Sequence, residues 1–147
     1  MTLGSQVNYP PEGQATVSGS KTEEVIGHIR ENGMRYAGRM PNGTEVIHTP
    51  IDYKAQSTVM SFNEAAKKVK SEKICGYPAG TLAFASQDQL DVIRLSYTQE
   101  ERNAIGPVWS RQRIDGSADL QSFGSGYRGW DGRVDLAHVC LVPKQQP

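Results

Sequence analysis

Net charge is missing from this chain: sixteen Lys and Arg balance sixteen Asp and Glu over 147 residues, so no overall field draws it to a phosphate backbone. No local basic patch makes up for that, and nucleic acid is not an expected partner. Cysteine is scarce, with only Cys75 and Cys140, which excludes a disulfide scaffold of the small secreted kind. No apolar run approaches the ~20 residues that a membrane span needs. The opening MTLGSQVNYPPEGQ has no basic region followed by an apolar one, so a signal peptide is not expected and synthesis in the cytoplasm is. The three histidines, His28, His48 and His138, stand at no metal-binding spacing, so neither a metal nor a cofactor is expected. Internal repeats at solenoid or propeller periods are absent as well.

The part with the clearest pattern runs SFNEAAKKVKSEKICGYPAGTLAFASQDQLDVI from Ser61 to Ile93. Ser61 and Glu64 have the spacing of a capping box, and Phe62, Ala65, Ala66 and Val69 follow at helical intervals opposite a lysine-rich face. The pattern predicts an amphipathic helix that stops near Gly76, before Pro78 and Gly80. Ser86 and Gln89 repeat the cap, with Leu90 and Ile93 as the apolar stripe of a second helix.

Upstream, residues 1–20 are rich in Ser, Gly, Gln and Pro, and Tyr9-Pro10-Pro11 favours extended backbone. They read either as a disordered tail or as an arm ordered across a neighbouring subunit. Residues 21–147 read as one α+β domain. Ser20 with Glu23, then Val25, Ile26 and Ile29, predict a first helix ending at Asn32-Gly33, with a strand as the alternative because those apolar residues are β-branched. Met34 to Met40 and Thr44 to Thr49 flank Pro41-Asn42-Gly43, a hairpin signature. Downstream, Thr98 with Glu101 predicts a further cap, broken by Gly106-Pro107. Val108 to Ile114 and Ala118 to Phe123 surround Asp115-Gly116 as a second hairpin. Val134 to Val142 reads as a strand covered on both faces, ended by Pro143.

Chemistry-bearing residues are sparse. Cys75 with a distant histidine and an aspartate fills the residue list of a thiol hydrolase, yet has no activating neighbour in view. Asp115, Asp119, Asp131 and Asp135 offer acidic pairs, although turn chemistry already explains Asp115. From Gly124 to Gly132, five of nine residues are glycine or serine, interrupted by Tyr127, Arg128, Trp130 and Asp131. These four form the candidate recognition loop, being largely residue types that carry interface energy. Trp130 either stacks on a ligand or folds back over the core.

The order of helix, cysteine, Gly/Pro turn, capped helix, Trp-Ser strand, hairpin, glycine-rich loop and cysteine-bearing last strand resembles the C-type-lectin-like module of bacterial collagen-like adhesins and of phage and bacterial surface proteins. SFNEAAKKVK matches that family's first helix and GYPAGTLAFASQDQLDVI its Gly, Trp-Arg-Leu-Pro and Glu-Leu segment. VWSR matches its Tyr-Trp-Ser-Ser strand and DLAHVCLV its closing strand, so the likeness covers about residues 55–142. Thr81-Leu82-Ala83-Phe84 departs from Trp-Arg-Leu-Pro, and the family's calcium and sugar signature is missing. The resemblance implies two main helices packed on small antiparallel sheets; the extended N-terminal arm is read from composition and lies outside the likeness.

It also implies a bridge between Cys75 and Cys140, closing a loop of about 65 residues and worth roughly 4 kcal/mol in the chain-entropy model. Two buried free thiols are the other reading.

The functional expectation that follows is a non-enzymatic virion surface protein of a bacteriophage, a capsid decoration or tail-associated adhesin. Its expected partners are other virion proteins, copies of itself through an arm contact at Tyr9, Pro10 and Pro11, and a host-surface glycan or protein. The rivals are an intracellular protein-binding module, such as a phage-encoded inhibitor of a host protein, and a lectin-fold oxidase, whose paired active-site cysteines this chain would have to supply from its only two.

Overall fold

The computed structural model describes residues 24–112, 118–129 and 136–144; the arm triplet Tyr9-Pro10-Pro11, the Asp115-Gly116 turn, and Trp130 and Asp131 lie outside them. The fold is mixed α+β, with three helices among the described residues and small sheets.

Asn42-Gly43 behaves as its chemistry requires. Gly43 takes a positive φ of 91° and the Asn42 side chain accepts from Thr44 N–H at 2.9 Å, which turns β1 (Arg35–Arg39) back onto β2 (Glu45–His48) as an antiparallel pair. The segment before it is not the predicted helix. Gly27 has a φ of 95° and donates to Tyr36 O, Tyr36 N–H donates to His28 O, and Ile29 bridges to Arg35. The segment lies along the free edge of β1, so the helical spacing of Val25, Ile26 and Ile29 was coincidental and their β-branching the better guide.

β3 (Val59–Met60) leads into α1 (Phe62–Ser71), capped by Ser61, whose hydroxyl accepts from Glu64 N–H. The helix stops at Ser71, short of Gly76, because Glu72 is already extended. Beyond it Ile74 and Tyr77 exchange both backbone hydrogen bonds around Cys75 and Gly76, whose φ values of 49° and 81° suit a tight mirror-image turn. β4 (Leu82–Phe84) follows, then α2 (Gln87–Leu95) and α3 (Gln99–Ile105). Ser86 with Gln89, and Thr98 with Glu101, close both halves of their capping boxes, as predicted from spacing.

β5 (Pro107–Gln112) and β6 (Ala118–Ser122) form the second hairpin. With β7 (Arg128–Gly129) and β8 (Ala137–His138) they build a five-stranded sheet in the order β3-β8-β5-β6-β7. β9 (Leu141–Pro143) pairs with β4 instead. The last run is thus two short strands joined end to end, and its side chains alternate between two apolar clusters. Val139 and Leu141 join Met34, Ala65 and Trp109; Cys140 and Val142 join Val46, Leu90, Ile93 and Phe123. Both faces are covered, as the almost unbroken apolar sequence indicated.

That alternation overturns the Cys75–Cys140 bridge. Both cysteines are free thiols. Cys75 packs beside the cluster that takes Val139 and Leu141, whereas Cys140, one residue out of phase, points to the opposite face.

Candidate recognition surface

The glycine-rich loop is pinned from below. Phe123 is fully buried and anchors the chain after β6, its amide donating to Gly106 O at 2.8 Å. Its carbonyl accepts from Arg94 Nε of α2 at 2.9 Å, and Gln99 of α3 donates to Gly124 O. Gly126, at φ 81°, lies under the Arg94 guanidinium, which would stand 3.1 Å from any Cβ there.

Of the four predicted recognition residues, the structure describes two. Tyr127 is 65 % exposed and its ring lies across Gly129, where a Cβ would come within 2.7 Å of it. Glycine at 129 is therefore what leaves room for the tip of the ring beside β7. Arg128 is held by two carboxylates of α2, at 3.0 Å from Asp88 and in closer contact with Asp91. The pairing raises the affinity of Arg128 for its proton, Asp91 being the larger cause. Below them Gln121, fully buried on β6, donates its amide to the other Asp91 oxygen at 2.8 Å. A relay from Gln121 through Asp91 to Arg128 thus clamps the loop on α2 and leaves Tyr127 exposed.

Sequence reasoning missed the α2 half of this surface. Gln87, Asp91 and Arg94 stand at helical spacing next to the buried Leu90 and Ile93, a polar stripe that signals a helix edge facing something polar. It carries no sign of which loop that is.

A second cluster lies inside the molecule. His48 and Cys140 are both fully buried, with Cys140 Sγ 3.4 Å from His48 Nδ1. His48 Nε2 is 3.2 Å from Arg35. A guanidinium only donates, so Nε2 accepts and Nδ1 carries the hydrogen, which reaches Thr49 O at 2.8 Å. Nδ1 has no lone pair to take the thiol proton. Burial, reinforced by the Arg35 charge, lowers the His48 pKa to about 4, and burial pushes the Cys140 thiol up. The pair is therefore a neutral packing element and not an activated nucleophile. Arg35 itself donates to Ser96 and stacks 3.9 Å from the Tyr97 ring centroid, tying β1 to the end of α2.

Among the described residues no group of three or more His, Cys, Asp or Glu gathers as a metal site, and no described helix is long and apolar enough to cross a membrane. No protein-family model matches the chain and no curated protein matches it either.

Proposed function

We propose that this chain is a non-enzymatic, lectin-like structural and recognition module on the surface of a bacteriophage virion, as a capsid decoration or tail-associated adhesin. The observation that carries the recognition half is the preorganised loop. Arg94, Asp88, Asp91 and Gln121 all serve to hold residues 123–129, and what they leave exposed is one aromatic ring, Tyr127. A ring held in place before contact loses little further entropy on binding, and its face suits a sugar or a guanidinium. The virion half rests on the resemblance of residues 55–142 to lectin-like surface modules. In this reading the loop meets a host-surface glycan or a neighbouring virion protein, and Tyr9-Pro10-Pro11 contacts other copies.

Electron microscopy and mass spectrometry of purified particles test the assignment. Ordered, stoichiometric copies of the chain are the expected result. A chain recovered only as free protein, bound one to one to a host protein, overturns it in favour of the inhibitor reading.

A further inference from the structure

The short strand β4 has one paired edge and one open edge. Lys144 N–H donates to Thr81 O and Ala85 N–H to Cys140 O, with Ala83 opposite Val142 between them, so residues 81, 83 and 85 turn their backbone groups to β9. Those groups alternate along a strand, and the N–H and C=O of Leu82 and Phe84 therefore point the other way. No strand meets them there among the described residues, because the β4–β9 sheet has two strands only. A groove of about 610 Å³ runs round this edge, lined by Ala66 and Val69 of α1, by β4 itself, and by Ser86 and Gln89 at the start of α2. Lys70 and Lys144 close one end of it: Gly80 N–H donates to Val69 O, next to Lys70, just before Thr81 accepts from Lys144. Both lysines are exposed, neither is ion-paired among the described residues, and no described residue lining the groove carries a carboxylate.

We propose that β4 takes an added strand from a partner protein: an extended segment that pairs with Leu82 and Phe84, lays apolar side chains over Ala66 and Val69, and ends on a carboxylate beside Lys70 and Lys144. The open backbone groups fix the extended form, since only a strand running alongside can satisfy both residues at once. The apolar walls fix the character of its side chains, and two unpaired lysines at one end fix the sign of its charge. The chain's own amino-terminal segment is a poorer occupant. Within residues 1–20 the sole carboxylate, Glu12, follows Pro10-Pro11, which have no N–H to give to a ladder. The inference goes beyond the loop at Tyr127 and depends neither on it nor on the virion reading.

Amide hydrogen exchange, read by NMR on the full chain with and without the peptide acetyl-Thr-Val-Thr-Val-Glu, tests this. In the free chain the Leu82 and Phe84 amides should exchange faster than that of Ala83, which is bonded to β9. The peptide should slow both at least about tenfold and leave Ala83 unchanged. The double variant Lys70→Glu with Lys144→Glu, confined to exposed side chains, should lose that protection and regain it with a peptide ending in lysine amide in place of glutamate. Leu82 and Phe84 amides already as slow as that of Ala83 in the free chain would mean that the chain's own arm or a second copy holds the edge, and would overturn the assignment. So would no protection at about 1 mM peptide, or protection that ignores the charge reversal.

Discussion

His48 is the residue on which acid acts first. Its folded pKa is about 4 against an ordinary 6.5, so above 6.5 both states are neutral and the fold has its full stability. Between 6.5 and 4 the unfolded chain takes up a proton that the native chain refuses, and stability falls as the pH falls, by roughly 3 kcal/mol in total. His138, also lowered by burial, adds in the same direction. Urea titrations at stepped pH should show the decline beginning near 6.5, before the carboxylates contribute, and His48→Gln should flatten it. Thiol counting addresses the cysteines. In native protein a thiol reagent should modify Cys75 alone, and slowly, because burial raises its pKa; after denaturation it should find both. A count of zero under denaturing, non-reducing conditions would mean that the two are bonded.

At the scale of elements, local chemistry was legible and partners were not. Ser86 and Thr98 cap their helices as their spacing with Gln89 and Glu101 indicated, since a cap is decided within four residues. Thr98→Ala should cost about 1 kcal/mol in denaturant unfolding. The Val25 to Ile29 segment was misread because periodicity cannot see that the edge of β1 lies open beside it. The loop clamp divides likewise. Arg128 is an exposed ion-pair member, so Arg128→Ala should cost less than ~1 kcal/mol. Asp91→Ala strips the buried Gln121 amide of its 2.8 Å acceptor and should cost about 1–3 kcal/mol. Equal effects in the two variants would show that the relay through Asp91 does not hold the loop.

For the molecule as a whole, cohesion comes from the final apolar run, which gives alternate side chains to both clusters. Neither cluster keeps its packing once that run leaves, so unfolding should be one transition, coincident by far-UV circular dichroism and tryptophan fluorescence. Trp109 reports it from inside, being 4 % exposed and donating to Met60 O at 2.8 Å. Two separated transitions would show that the clusters are independent. Phe123→Ala, at the base of the recognition loop, should cost roughly 3–5 kcal/mol, far above any exposed ion pair.

The sequence by itself determined the caps at Ser61, Ser86 and Thr98, the Asn42-Gly43 hairpin and the double coverage of the last run, because each depends on neighbours in the chain or on simple alternation. Only the tertiary structure decided that Cys140 faces His48 and not Cys75, that α2 supplies the carboxylates holding Arg128, and that Val25 to Ile29 lies along a strand. Those outcomes depend on which face of one element meets which face of another, tens of residues away, and the same pattern of residue types is compatible with more than one such meeting.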